Sequence, residues 1–320
     1  MPLRTSIAVC TYNGERFLQQ QLDSLLAQSL RPDEIVLRDD ASSDGTMQLV
    51  DDFVARAHAL GIRVDARRNA SNLGYRRNFE QAIQACTGEL IFLCDQDDVW
   101  ESQKLQTFVD RFQAVPDLLL LNSDARLIDG DGHSLPGTLF RSLRIPRAEI
   151  RRMHHGQALQ VLLRRNLVTG AATAFRSSLL PHVLPLPATG WVHDAWMALI
   201  AAMMGRVDTL TDCTIAYRLH ANNQLGVGGA MPGGRRAYRL ALLHAELVNT
   251  EYLMAQLRGV PAAAGALPLL AERIRHLGVR TGLGDSVLGR LAPVTKELLS
   301  GRYGQFSRGN FVAAADLLGL

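Results

Sequence analysis

Residues 95–98 read Asp-Gln-Asp-Asp and directly follow Leu90-Ile91-Phe92-Leu93-Cys94, an apolar run without a charged side chain. Three carboxylates in four positions at the end of such a run repel one another, so they coexist only with a cation or a shared proton. Carboxylate oxygens are hard ligands, which favours Mg²⁺ or Mn²⁺ over zinc. Capping of the next helix is the competing use, and Asp98 is the carboxylate expected to cap. An earlier apolar run ends in Asp39-Asp40, where two adjacent acids again suit a binding role. Asp44-Gly45-Thr46 just beyond serves equally as a turn and a helix cap. Further on, Asp194 opens a helical pattern and is either a functional acid or an N-cap, while His220 taken alone reads as a structural histidine.

These residues need elements to position them. Residues 6–10, 34–37, 62–64 and 90–94 are short apolar runs that read as strands. Between them, Phe17, Leu18, Leu22, Leu25 and Leu26, then Leu49, Val50, Phe53, Val54 and Ala57, then Phe79, Ala82, Ile83 and Cys86 recur at helical spacing. The rhythm predicts an α/β fold with a mixed, mostly parallel sheet flanked by helices. Ligands in such folds bind beyond the carboxyl ends of the strands, where the acids above fall. Residues 118–121 and 125–128 read as two strands, 168–175 and 211–219 as two more, and 196–204 as a helix. After a glycine-rich stretch at 225–234 the pattern turns helical to the end. We therefore expect a domain over residues 1–226 and a C-terminal helical appendage over 227–320.

Composition limits the classes. The chain of 320 residues is 47% hydrophobic and 20% charged, with ample apolar material for a core. A net charge of +3, from 34 basic and 31 acidic residues, is too slight to argue for nucleic acid. Cys10, Cys86, Cys94 and Cys213 lack the spacing of a disulfide framework or a zinc site and read as reduced thiols. No signal peptide and no apolar stretch of roughly 18 residues is present, so a cytoplasmic location is expected.

Taken in order, Thr11-Tyr12-Asn13, the Asp40 pair with Asp44-Gly45-Thr46, Asn72-Leu73-Gly74 and Asp95-Gln96-Asp97 resemble family 2 glycosyltransferases of the GT-A fold. The Asp-Gln-Asp-Asp-Val-Trp form resembles the bacterial rhamnosyltransferase-like branch. The resemblance runs from about residue 6 to 226. It implies a metal-dependent, inverting transfer of a sugar from a nucleotide-sugar to a hydroxyl of a glycan or lipid-linked acceptor in cell-surface polysaccharide synthesis. The donor it implies is dTDP-rhamnose first and a UDP-hexose next.

The resemblance also implies roles. Thr11 and Asn13 line the nucleotide pocket, and Asp40 accepts from the imide N–H of uracil or thymine, as an acceptor-only carboxylate can. Asp95 holds the ribose or the metal's water shell, and Asp97 and His220 ligate Mg²⁺ or Mn²⁺. Asn72 and Arg77 contact base or diphosphate, although a turn residue and a solvated helix charge explain them equally well. Gly170, within Val168-Thr169-Gly170-Ala171-Ala172, lies in the loop against which the donor sugar rests. Asp194 is the general base, and Trp191 and His193 contact the acceptor; His193 departs from the commoner Glu.

Two rivals remain at this point. A nucleotidyltransferase would want a glycine- and arginine-rich loop near residues 11–15, which hold one glycine. A catalytically inactive nucleotide-sugar-binding or scaffold protein on the same fold is the alternative from another class. In the tail, Arg235, Arg236, Arg239, Arg273, Arg275, Arg280, Arg290, Arg302 and Arg308 form either a solvated rim on a helical cap or a peripheral contact with the inner face of the membrane.

Overall fold

The computed structural model describes residues 3–187, 192–220 and 234–320. They cluster into two compact units, one built from Met1–Ala158, Leu167–Ala188 and Val192–Asn223, the other from Leu159–Asn166 and the chain beyond Gln224. The expected boundary at residues 226 and 227 lies outside the described residues. The stretch Leu159–Asn166, read above as part of the first domain, clusters with the second unit.

The first unit opens with the expected alternation. It runs β1 (Thr5–Thr11), α1 (Glu15–Leu26), β2 (Glu34–Asp39), α2 (Thr46–Ala59), β3 (Arg63–Arg68), α3 (Tyr75–Ala85), β4 (Leu90–Cys94), β5 (Val99–Trp100) and α4 (Lys104–Ala114). There follow β6 (Leu118–Ile128), β7 (Ser134–Thr138), α5 (Leu139–Ser142), α6 (Arg147–His154), β8 (Thr173–Arg176), α8 (Leu180–Val183), α9 (His193–Met204) and β9 (Arg206–Arg218), while α7 (Ala158–Leu162), between α6 and β8 in the chain, clusters with the second unit from Leu159 on. The strands join in the order β3-β2-β1-β4-β8-β6-β9-β5, with β7 beside β6. The first four in that order are parallel, and β8 enters antiparallel between β4 and β6.

Burial explains the sequence pattern. Every residue of β1, β2 and β4 is buried, which is why these runs lack polar alternation. Leu18, Leu22 and Leu25 of α1, Val50 and Phe53 of α2 and Leu105, Phe108 and Phe112 of α4 join one core with them. β3 ends the sheet at one edge, and its Arg63, Asp65, Arg67 and Arg68 are what keep an edge strand from pairing with another chain.

Three readings are corrected here. Residues 118–128 form one strand, because the polar Asn122, Ser123 and Asp124 that broke the apolar pattern are buried and hydrogen-bonded to Leu167, Thr214 and Phe140 outside it. The run at 168–175 is a tight turn over Gly170–Ala172 before β8. Asp98 does not cap α4, whose N-cap is Gln103; its side chain is turned inward instead.

The second unit contains α10 (Gly234–Leu257), α11 (Leu267–Thr281), α12 (Val287–Leu299), α13 (Arg302–Phe306) and α14 (Asn310–Leu318). Val294, Tyr303 and Ala313 form its apolar centre with Leu283, Val312 and Leu317 around them. The expected solvated rim of arginines forms only in part, with Arg236, Arg275 and Arg308 exposed. Arg273, Arg280 and Arg290 are buried, and Asp316 gathers Arg239, Arg280 and the Tyr303 hydroxyl. Acids on facing helices draw Arg273 and Arg280 inward, and Arg290 donates instead to the carbonyls of Gly284, Asp285 and Leu317.

Candidate active site

The site forms at the carboxyl ends of β1, β2 and β4, with β9 delivering the last residue. Thr11 ends β1 and its hydroxyl donates to Asp39 at 2.9 Å, while the Asp40 N–H donates to the Thr11 carbonyl at 2.8 Å. The chain then turns through Asn13 and Ala41, both at positive φ. Asn13 accepts from the Ser43 N–H at 2.8 Å, so the two strand ends are tied together.

Asp40 is buried, and its carboxylate accepts from Asn69 Nδ2 and the N–H groups of Leu73 and Gly74 at 2.8–2.9 Å. It thereby anchors the loop that carries Asn72, which donates to the Asp40 carbonyl and accepts from Gly74. Arg77 pairs with Glu80 one turn along α3. Its neighbour Arg76, which the sequence reading passed over, is close enough to His193 to disfavour that ring's protonation.

The acidic strand end is held by its own spacer. Gln96 accepts from the Tyr12 N–H at 2.7 Å and donates to the Tyr12 carbonyl at 3.1 Å. A Cβ on Gly14 would come within 2.4 Å of the Gln96 oxygen, so only glycine admits this contact. Asp97 and His220 meet directly, Oδ2 to Nε2, at 2.8 Å. Phe17 backs the His220 ring at 4.8 Å between centroids.

Asp95 is pushed up to about 7 by burial and by the charges of Asp97 and Asp194, partly countered by Lys104. Asp98 is raised well above the carboxylate range by burial and by Asp97 and Asp95. One of its oxygens accepts from the Arg218 N–H at 3.0 Å, and the other is buried without a hydrogen-bond partner among the described residues. Acids so placed resist carrying their full charge.

Asp194 lies in the first turn of α9 but is not its N-cap, a place taken by Val192. Its carboxylate accepts from the Gly170 N–H at 3.0 Å. His193 stacks on Phe79 at 4.5 Å, and burial with Arg76 pushes it down to about 4, so the ring is neutral near pH 7. Neither ring nitrogen has a hydrogen-bond partner among the described residues. A Cβ at Gly170 would stand 2.8 Å from His193 Nε2. Trp191 lies outside the described residues.

Two further residues belong here. Lys104, fully buried, donates to the Ala171 carbonyl at 2.7 Å and lies 3.8 Å over the Trp100 ring. Burial lowers its ammonium to about 7 against the pull of Cys94, Asp98 and Asp95. Its signal was a charge on the apolar stripe that continues through Leu105, Phe108 and Phe112. Arg218, also buried, donates to the carbonyls of Asp97 and Asp129 and to Gln20. No sequence pattern separated it from other arginines.

The structure thus gathers Asp95, Asp97, Asp194, Gly170, His193 and His220 around one strand end, and keeps Arg77 on a helix surface with Glu80. Among the described residues, three potential metal-ligand atoms come within 4.8 Å of one another only at Asp129, Asp131 and His133, in the β6–β7 turn. There Asp129 accepts from the N–H groups of Asp131 and His133 and closes the turn.

Such a sheet, with acids at its carboxyl edge and an antiparallel strand beside β4, is the GT-A-like fold. Solved structures share it: *S. aureus* TarS 1–349 in complex with UDP-GlcNAc (TM-score 0.55, 16% identity, 95% of this chain and 88% of that one) and the mannosyltransferase PcManGT from Pyrobaculum calidifontis in complex with GDP-Man and Mn²⁺ (0.55, 19%, 100% and 86%). The model of glycosyl transferase family 2 matches residues 6–177, more than half the chain. The chain belongs to that family. An uncharacterized protein of Mycobacterium tuberculosis, Rv1520, is 28% identical over 219 residues, 68% of this chain. The match spans 59% of that relative's length.

Proposed function

We propose that this protein is an active, inverting glycosyltransferase that uses a nucleotide-sugar and a divalent ion, Mg²⁺ or Mn²⁺. The contact that carries the reading is Asp97 with His220, set beside Asp95 and within the electrostatic reach of Asp194. An inactive binding protein would have no need to keep a base candidate beside such a pair.

The donor set suits a hard cation: carboxylate oxygen and imidazole nitrogen already touch, and a buried Asp98 oxygen lacks a partner. Asp97 and His220 would hold the ion, with phosphate and water completing its shell. When bound, it supplies charge neutralisation for the diphosphate leaving group. Thr11, Asn13, Asp40, Asn72 and Asp95 form the nucleotide side, and the Gly170 turn faces the donor sugar. Asp194 takes the proton of the acceptor hydroxyl as that oxygen bonds to the anomeric carbon. The bond from that carbon to the diphosphate breaks in the same displacement, so configuration inverts. His193, neutral and with no hydrogen-bond partner for its ring nitrogens among the described residues, serves the acceptor, and Trp191 keeps the acceptor role that the family resemblance implies.

Residues 1–226 form the transfer domain and 227–320 a helical region. The rhamnosyltransferase-like motif favours dTDP-rhamnose as donor, with UDP-hexoses second. TarS is named a poly(ribitol-phosphate) N-acetylglucosaminyltransferase, which supports a cell-surface polymer or lipid-linked glycan as acceptor. A cytoplasmic site with peripheral contact at the inner membrane face follows from such an acceptor, and no helix among the described residues is long and apolar enough to cross a membrane. The test is hydrolysis and binding of a panel of dTDP- and UDP-sugars, with Mn²⁺ and with chelator. Donor-selective turnover that chelator removes is expected; binding without any turnover, even with glycan acceptors, would leave the inactive alternative.

A further inference from the structure

Helices normally bury their apolar stripe and expose polar residues. Helix α12 buries Arg290, Val294 and Glu297 instead, and turns leucines outward. Leu288 is 84% exposed, Leu291 51% and Leu299 83%. At 3.6 residues per turn these three share one face, opposite the buried one. Helix α14 repeats the arrangement, with Ala313 and Asp316 buried, Phe311 80% exposed and Leu318 59%. The two helices pack on each other through Val294 and Ala313, and Arg290 donates to the Leu317 carbonyl.

Charge decides what covers these faces. Residues 234–320 hold 11 basic and 6 acidic side chains, 11 − 6 = +5, although the whole chain carries only +3. Five of the six acids are paired with arginines of the same unit: Glu246 meets Arg273, Glu272 and Glu297 meet Arg302, Asp285 meets Arg236, and Asp316 meets Arg239 and Arg280, while Glu251 is exposed on α10, outside both faces. Neither apolar stripe contains an acid. Lys296, beside the α12 stripe, and Arg308, just before α14, are exposed and have no acidic partner among the described residues. A second copy of this chain would set these cations against their like; an anionic bilayer would not.

We propose that the outer faces of α12 and α14 dock on an anionic lipid surface, with Leu288, Leu291, Leu299, Phe311 and Leu318 entering the headgroup boundary and Lys296 and Arg308 meeting lipid phosphate. This rests on the peripheral contact read above and assigns it to particular residues.

The experiment is flotation of the full chain with phosphatidylcholine vesicles, alone or with about one third phosphatidylglycerol. The wild type floats with the anionic vesicles, and floats less as salt rises to about 0.5 M. Combined Leu288→Glu, Leu299→Glu and Phe311→Glu, at positions mostly in solvent, leaves the melting temperature near wild type and lowers the bound fraction about tenfold or more. Lys296→Gln with Arg308→Gln weakens anionic binding without altering the melt. Wild type that ignores anionic vesicles at low salt, or a triple variant that floats as wild type does, overturns the proposal. So does a wild-type dimer in sedimentation that the triple variant turns monomeric while neither floats; the face would then be a self-association surface. Flotation involves no sugar, so its failure leaves the glycosyltransferase reading standing, and absence of turnover leaves the docking result standing.

Discussion

Lys104 and Asp194 grip adjacent residues of one turn: the ammonium donates to the Ala171 carbonyl at 2.7 Å, and the carboxylate accepts from the Gly170 N–H at 3.0 Å. The turn is fixed from α4 on one hand and α9 on the other. The proposed base therefore takes its position from a residue 90 places earlier in the chain, 194 − 104 = 90.

Lys104→Met removes that donor and leaves a buried carbonyl without its partner. The expected loss is about 1–3 kcal/mol of folding stability, read as a lower midpoint in denaturant. Turnover should fall further than donor affinity, because the turn bearing Gly170 loosens. Equal stability in variant and wild type would deny the hydrogen bond its weight.

Asp194→Asn should keep donor binding near normal and lower turnover ~10²–10⁴-fold, the usual effect of a positioned general base. The amide preserves size, and its one carbonyl oxygen can still accept from Gly170. Steady-state rates with a competent acceptor check this, and near wild-type turnover would leave Asp194 a structural residue.

Asp97→Ala should abolish divalent-ion-dependent donor binding while the fold survives. Removing one charge lessens the repulsion on Asp95 and Asp98, so the variant should melt no lower than wild type in chelator. Titration calorimetry with a nucleotide-sugar and Mn²⁺ reads the first effect, and unchanged binding would sink the metal assignment.

Gly170→Ala places a methyl 2.8 Å from His193 Nε2, closer than carbon and nitrogen tolerate. The single variant should lose activity, and adding His193→Ala should recover part of the lost stability because the clash is gone. A double-mutant cycle measures the coupling.

His193 gives a pH dependence with a definite sign. Its folded value, down to about 4, lies below the ordinary 6.5, so the unfolded chain binds the proton first. Its contribution to stability is present above 6.5 and is lost as pH falls from there through about 4. His193→Phe should flatten that part of the stability curve, as followed by thermal melts between those limits.

Much of this was legible in the residues. Apolar runs without alternation marked β1, β2 and β4 because both faces of those strands are covered, and helical spacing marked α1 to α3. The acids stood out because a buried strand seldom ends in several. What stayed hidden involves tertiary partners. A strand was cut in two at Asn122–Asp124 because nothing local announces that buried polar groups have found partners. Lys104 sits on an apolar stripe, but nothing local announces the carbonyl of Ala171 that accepts from it. The tail's arginines looked like a rim because their acids lie 27 to 77 residues away, Arg302–Glu297 and Arg275–Glu272 aside. Spacing reports on a helix face, and not on the element opposite it.

Gln96 has a consequence for how the acidic motif is to be understood. The residue between two acids is usually treated as filler, yet here it latches both backbone groups of Tyr12, across the seam from another strand. The loop proposed to meet the nucleotide and the strand end proposed to meet the diphosphate are thereby kept in register, as two jaws on one pin. A change of spacer would leave every charge in place and still let those jaws slip against each other, so on the proposed function the fidelity of donor choice would reside partly in a side chain that bears no charge.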